Sequence, residues 1–392
     1  MAGLLLTLIY ICFISLGLPD SLLGSAWPML HSELSVPVSF AGIISMIISG
    51  GTITASLLSD RIQRRYGTGK ITAVSIALTA VALFGFSMSN QFWLLVLWSI
   101  PYGLGAGGVD AVLNNYVALH YKSQHMSWLH CMWGLGASIS PYIMSFSLIR
   151  LDSWNYGYLI VSIIQIILSA FIFTSLPLWN NAEKIAIQTS EIESDAPPLT
   201  FMEVFSIAGA IPCFLAFFGY CALEMTTSLW ASSYLVETKG ISPETAAGFA
   251  SLYYIGITVG RGINGFLAMK FSDRFLVRLG LGVIGTGILL VILPFHSLLA
   301  LVGFVIMGLG SAPVYPCIMH MTPDIFGKDK SQRMIGMQMA FAYMGFLTVP
   351  PLFGIIANHI SISLLPAFVL ALLVMITIMH ELLLKNTKKQ NA

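Results

Sequence analysis

Leu97-Trp98-Ser99-Ile100-Pro101-Tyr102-Gly103-Leu104-Gly105-Ala106-Gly107-Gly108-Val109-Asp110-Ala111-Val112-Leu113-Asn114-Asn115-Tyr116 is an apolar run of helix length with one carboxylate in its midst. Twenty residues of α-helix reach about 30 Å, the hydrocarbon thickness of a bilayer. A charge at that depth costs roughly 2.5–3.5 kcal/mol on insertion scales, so such a group faces a cavity or a partner and has a task. Asn114 follows Asp110 by four and shares its helix face. Gly103, Gly105, Gly107 and Gly108 strip side chains from the preceding turns, which lets a second backbone or a ligand come close.

Composition extends this reading to the whole chain. Of 392 residues, 57% are hydrophobic and 9% charged, against about 25% charged in soluble domains. The sequence is that of an all-α polytopic membrane protein. A net charge of +1 leaves no electrostatic footprint for nucleic acid. The five cysteines, Cys12, Cys131, Cys213, Cys221 and Cys317, lie in apolar runs without ligand spacing and read as small buried hydrophobes. No metal site or cofactor is indicated. H-E-x-x-H and G-x-S-x-G are missing from the sequence, so the reading is not that of an enzyme.

Runs able to span the bilayer fall at 3–29, 38–59, 71–89, 91–119, 126–149, 154–178, 203–235, 245–270, 275–294, 297–321, 332–358 and 361–384, which predicts twelve transmembrane helices. The first is read as uncleaved, because Met1-Ala2-Gly3 carries no positive charge ahead of a long apolar run. With the N-terminus inside, fifteen basic residues fall on the cytoplasmic side, Arg333 among them, and only Arg150 and Lys239 outside. Such a bias requires an even number of spans and places both termini in the cytoplasm, as in a bacterial-type cytoplasmic membrane. The one long polar stretch divides the chain into an N-terminal bundle (1–179), a cytoplasmic linker (180–201) and a C-terminal bundle (202–392).

Internal echoes make the halves pseudo-symmetric. Ser59-Asp60-Arg61 recurs as Ser272-Asp273-Arg274, Gly103-Leu104-Gly105 as Gly308-Leu309-Gly310, and Gly136 precedes Pro141 by five as Gly345 precedes Pro350. Two parallel six-helix halves with a site between them characterise major facilitator transporters. The stretch Ser56-Leu57-Leu58-Ser59-Asp60-Arg61-Ile62-Gln63-Arg64-Arg65, read as the loop after span two, is similar to the G-x-x-x-D-R-x-G-R-R signature of that superfamily, with Ser56 and Gln63 in place of its glycines. The resemblance implies that Asp60, Arg61 and Arg65 form a charge contact holding the cytoplasmic gate. Within the superfamily the chain resembles the fucose–galactose–glucose proton symporters. Leu18-Pro19-Asp20 matches their acidic position near the end of span one, and Asp110 with Asn114 matches their acid-plus-amide in span four. That resemblance implies proton coupling through Asp110 and Asp20.

Glu224 precedes Trp230 by six as Asp20 precedes Trp27 by seven, so Glu224 either joins the coupling acids or neutralises Arg261, the basic residue of Gly260-Arg261-Gly262. Asp20 lies between Pro19 and Ser21, where the helix can break and offer its backbone to a ligand. Trp27, Trp133, Trp230, Tyr253 and Tyr254 could stack on a sugar ring while Asn114, Asn115, Asn264 and Gln338 satisfy its hydroxyls, and His130 is either a ligand or a packing residue. The implied partners are a sugar-like small molecule, a proton and the lipid bilayer, with the protein acting as a monomer. The same acids would serve a proton-coupled drug or metabolite exporter, or hold sodium.

The charge bias sets a first test. A cysteine at position 190, introduced into a chain without its native cysteines, is expected to stay unlabelled by an impermeant thiol reagent in intact cells and to react once the cells are opened. Labelling from outside would invert the topology.

Overall fold

A computed structural model of the protein describes residues 2–37, 40–189, 200–241, 243–293 and 297–388. They form fifteen α-helices: α1 (Ala2–Asp20), α2 (Leu22–Glu33), α3 (Ala41–Tyr66), α4 (Thr68–Ser87), α5 (Phe92–His120), α6 (Ser123–Arg150), α7 (Trp154–Thr189), α8 (Phe201–Ser206), α9 (Ala210–Lys239), α10 (Pro243–Leu267), α11 (Asp273–Ile292), α12 (Ser297–Ser311), α13 (Val314–Phe326), α14 (Lys328–His359) and α15 (Leu365–Lys388). Among the described residues eleven helical runs are long and apolar enough to cross a membrane. The remaining predicted span, 245–270, is α10. The protein is therefore an all-α polytopic membrane protein.

Several boundaries differ from the sequence reading for local reasons. The first span is split at Ser21, directly after Pro19 and Asp20, as the proline suggested. Span two does not stop before its charged motif. Helix α3 runs on to Tyr66 and ends where Gly67 adopts φ 78°, so Asp60, Arg61 and Arg65 stand on helix, not in a loop. Span seven begins later than 203. Residues Phe201–Ser206 form a separate short helix closed by a capping box, in which Thr200 and Glu203 exchange side-chain and backbone hydrogen bonds, and α9 starts after Gly209 at φ 87°. The backbone hydrogen bond from Thr200 holds the Glu203 carboxyl below its usual value. Arg333, counted among the cytoplasmic loop charges, is a buried residue within α14. Of the predicted linker 180–201, α7 extends through Thr189, while residues 190–199, including the labelling position 190, lie outside the described residues.

The chain divides into two compact units. One comprises Met1–Tyr116 and Met132–Pro198, the other Val117–Cys131 and Leu199–Ala392. In the first, α4 packs along α7, and an apolar cluster of Leu22, Trp27, Leu30, Phe86, Trp154 and Tyr158 fills the space around α2. In the second, α9 packs along α14 and α15, and α12 lies between α10 and α11.

The span-four glycines meet backbones. A Cβ on Gly103 would sit 2.2 Å from the Ile48 carbonyl oxygen and one on Gly107 2.5 Å from that of Thr52, both in α3. Gly105 faces the other way, with the Ser75 carbonyl oxygen of α4 at 2.6 Å from its built Cβ. The second unit repeats this. Gly308 would meet the Tyr253 carbonyl oxygen of α10 at 2.3 Å, and Gly310 the Gly280 carbonyl oxygen of α11 at 2.8 Å. A Cβ on Gly136 would overlap the Ile14 carbonyl oxygen of α1, as one on Gly345 would overlap that of Phe218 in α9. Two of the three sequence echoes thus have equivalent neighbours in each unit. The third does not, since Asp60 sits inside α3 whereas Asp273 opens α11.

Close backbone approach carries a measurable cost when it is blocked. Gly136→Ala should lower stability by about 1–3 kcal/mol, because the new methyl overlaps a main-chain oxygen and α1 must retreat. Gly50→Ala, with no atom within 4 Å of the built Cβ, should be neutral or stabilise by about 0.5–1 kcal/mol through helix propensity. Thermal unfolding of both variants in detergent checks the contrast.

Candidate functional site

In the first unit the polar centre is Asp20. Its Oδ1 accepts a hydrogen bond from the Tyr102 hydroxyl of α5 at 3.1 Å, and its Oδ2 one from Trp133 Nε1 of α6 at 2.8 Å. Both donors are neutral, and the carboxylate makes no ion pair among the described residues. Asp20 is exposed despite its position in a membrane-capable helix. The helix break delivers it there. Ser21, next in sequence, donates its hydroxyl to the Ala137 carbonyl of α6 at 2.8 Å, tying the α1–α2 junction to the helix that carries Trp133. Behind Tyr102 lies a cavity of 10 Å³ lined by Ser15, Thr79 and Gln165 among others, about the size of one water molecule. Gln165 closes it by donating to the Ser15 carbonyl at 2.7 Å and accepting from Thr79 at 3.0 Å.

Asp110 occupies a different setting. With Gly103, Gly107 and Asn114 it falls at i, i+4, i+7 and i+11, so it continues the stripe of α5 that meets α3. Asp110 is 7% and Asn114 0% exposed. The Asn114 amide donates to Asp110 Oδ1 at 2.8 Å and to its main-chain carbonyl at 2.9 Å. Asn115 is buried beside them in sequence. Trp27 belongs to the apolar cluster described above, with its ring 6.2 Å from that of His31, so its surface is taken up by packing.

The second unit has its own buried charges. Glu224 of α9 and Arg261 of α10 approach to 3.8 Å, with side chains 7% and 5% exposed. Tyr220, one turn before Glu224, donates to the Ser311 carbonyl at 2.9 Å, and the Tyr253 ring is buried. Tyr254 donates to the Ser228 hydroxyl at 2.9 Å. His130 meets the Tyr315 ring edge-on, centroids 4.9 Å apart. Trp230 donates to the Pro350 carbonyl at 3.1 Å and packs against Phe353. The amides are also engaged: Asn264 donates to Ser127 at 2.7 Å, and Gln338 exchanges hydrogen bonds with Thr322 and approaches the Cys213 sulfur. Among the described residues no group of three or more His, Cys, Asp or Glu side chains could hold a metal ion.

At the charged motif, Asp60 pairs with Arg64, one turn along the same helix, at 3.0 Å. Arg61 is exposed, and Arg65 lies over the Tyr66 ring at 5.3 Å. Its echo is built differently. The Asp273 carboxylate accepts from the Ser123 hydroxyl and meets His320 Nδ1 at 2.7 Å, while His320 Nε2 lies 3.0 Å from the Tyr121 carbonyl oxygen. Neither His320 nor Tyr102 stands in a sequence pattern that marks it.

Eleven membrane-capable helices among the described residues, with acids buried in them, define a polytopic membrane protein. The sequence profile of the Major Facilitator Superfamily matches residues 9–252 and 212–392, and the chain belongs to that superfamily. Among its relatives, it is 24% identical to "Bypass of stop codon protein 6" of Saccharomyces cerevisiae over 91% of this chain and 77% of that one. It is 21% identical to the glucose/mannose transporter GlcP of Bacillus subtilis over 81% and 80% of the two chains. Solved structures share the fold. The E. coli fucose:proton symporter FucP superposes with a TM-score of 0.74 at 15% identity, covering 96% of this chain and 98% of that one. The proton:xylose symporter XylE reaches 0.78 at 12% identity, covering 97% and 95%. Homologues and fold are those of membrane transporters.

The Glu224–Arg261 pair yields a stability test. Glu224→Gln leaves a buried guanidinium without its carboxylate and should destabilise the protein by about 3–5 kcal/mol, whereas Glu224→Gln combined with Arg261→Met should recover most of that loss. Thermal unfolding of the two variants measures the difference.

Proposed function

We propose that this transporter is a secondary active carrier that takes up a neutral small solute, a monosaccharide, by proton symport. In this reading the sequence halves 1–179 and 202–392 alternate access to the two sides of the membrane, with both termini in the cytoplasm and the monomer as the working unit. Asp110 is the principal coupling carboxylate and Asp20 assists it. The observation that carries the reading is the setting of Asp20: an accessible carboxylate at membrane depth, held by two neutral donors and, among the described residues, by no cation, can exchange a proton with water and hand the hydrogen-bonding groups of Tyr102 and Trp133 to a substrate. Asp110, buried in α5 and bonded by Asn114 on its own helix, is the other carboxylate at that depth in this unit.

The sugar assignment is supported by the substrates named for GlcP, FucP and XylE, and by aromatic rings beside hydrogen-bonding side chains in each unit. Glu224 beside Arg261 offsets the one intramembrane cation of α10, which favours a neutral ligand over an anion. Trp27, Trp133, Trp230, Tyr253, His130, Asn114, Asn115, Asn264 and Gln338 are the candidate substrate-side residues, and Asp60, Arg61, Arg65 and Arg261 the candidate gating ones. A proton-coupled exporter, or a sodium-coupled sugar carrier, is the alternative on the same scaffold.

Purified protein in proteoliposomes tests this directly. Labelled hexose should accumulate under an imposed proton gradient and not under a sodium gradient alone. Asp110→Asn, a neutral mimic of the same size, should keep substrate exchange and lose gradient-driven accumulation. Full accumulation by Asp110→Asn would remove that residue from coupling, and indifference to hexoses with uptake or extrusion of apolar cations would favour the exporter.

A further inference from the structure

One cluster of charges lies outside everything assigned so far, at the ends of α11 and α15. Arg278 donates to Glu381 through Nε and Nη2, each at 2.7 Å, a bidentate pair that fixes the two helices side by side. One turn further out on α11 stands Arg274, and one turn further out on α15 stands Lys385. The helices run antiparallel here, so Arg274 and Lys385 flank the same end of the pair, where α11 starts and α15 finishes. Both are exposed, and neither makes an ion pair among the described residues.

These side chains line one cavity of 270 Å³, bounded by Arg274, Arg278, Glu381, Leu384 and Lys385. Three cations face one carboxylate there, and that carboxylate is already held bidentately by Arg278. Asp273, the neighbouring acid, is turned to Ser123 and His320, so it leaves the Arg274 charge uncompensated. Further along the same helices the exposed side chains are apolar: Phe275 and Leu279 on α11, Ile378 and Leu382 on α15. A pocket with surplus positive charge at one end and exposed hydrocarbon beyond it matches an amphiphile with an anionic head and acyl chains, and basic pockets between membrane helices recognise such headgroups. A free phosphate would use the cations but not the apolar faces.

We propose that the groove between α11 and α15 binds the phosphate-bearing headgroup of an anionic phospholipid, with Arg274 and Lys385 as its charged contacts and the Arg278–Glu381 pair as its floor. The arrangement is independent of the transported solute.

Lipid binding to the purified full-length protein in neutral detergent, read by native mass spectrometry, tests the assignment with phosphatidylglycerol, phosphatidylcholine and inorganic phosphate as separate probes. Phosphatidylglycerol should bind in preference to phosphatidylcholine, and Arg274→Gln/Lys385→Gln should cut that preference by about thirtyfold, from the contribution of two surface cations. Because both substitutions leave the Arg278–Glu381 pair intact, the variant should remain monodisperse with an unchanged unfolding midpoint. Arg150→Gln, a basic residue elsewhere, should leave the preference intact and so controls for general charge loss. Equal phosphatidylglycerol binding by wild type and double variant would overturn the proposal, as would displacement of the lipid by millimolar inorganic phosphate, which would make the groove a plain anion site. If the double variant lost its fold, Arg274→Lys/Lys385→Arg, which keeps both charges, should retain the preference, and its failure to do so would also overturn the site.

Discussion

Helices in a bilayer gain nothing by exchanging lipid for one another's apolar side chains, so their tight association depends on how closely two backbones can approach. In this protein that constraint is met at glycines placed on two sides of one helix. Gly103 and Gly107 admit the carbonyl oxygens of α3, and Gly105 admits one from α4. The same device recurs at Gly308 and Gly310. Once α5 is wedged in this way its rotation is set, and with it the direction of every side chain further along. Asp110 and Asn114 inherit the α3-facing stripe, and Tyr102 points to α1, where its hydroxyl finds Asp20.

Placing acids at membrane depth then raises a second requirement, that each carboxylate find a donor. The protein meets it in three ways. Asp20 uses neutral donors from two other helices, a tyrosine hydroxyl and an indole. Asp110 uses an amide one turn away on its own helix. Glu224 uses a guanidinium on the next helix. These differ in chemistry as well as in geometry. A neutral donor brings no net charge to the carboxylate, whereas the guanidinium at 3.8 Å brings a full one. Asp20 is thus held by neutral groups, and Glu224 by a cation on the neighbouring helix.

The two versions of the charged motif show how similar sequence can serve unlike structure. Ser59-Asp60-Arg61 lies within a continuous helix, so Asp60 takes Arg64 one turn along as its partner. Ser272-Asp273-Arg274 opens a helix after a bend, with Ser272 as its cap. That frees the Asp273 side chain to reach Ser123 and His320, and leaves Arg274 at the rim of the α11–α15 groove. Sequence offset alone does not distinguish these outcomes, because helix continuation past residue 60 depends on where the next glycine with positive φ falls.

Eleven of the twelve spans, the membrane setting, the break at Pro19–Asp20 and two of the three internal echoes were legible in the chain itself, because each rests on local quantities: apolar run length, proline chemistry and the spacing of small residues. The glycines of α5 were legible as points of close approach, yet only the fold decided that backbones fill them. Tertiary structure alone chose the partners. It assigned Tyr102 and Trp133 to Asp20, sent the Trp27 ring into packing, tied Asn264 to Ser127 and Gln338 to Thr322, buried Arg333 and brought Arg261 to Glu224. A polar side chain at membrane depth announces in sequence that it must be satisfied. Which of many distant donors satisfies it is settled only when helix rotation and register bring one within hydrogen-bonding reach.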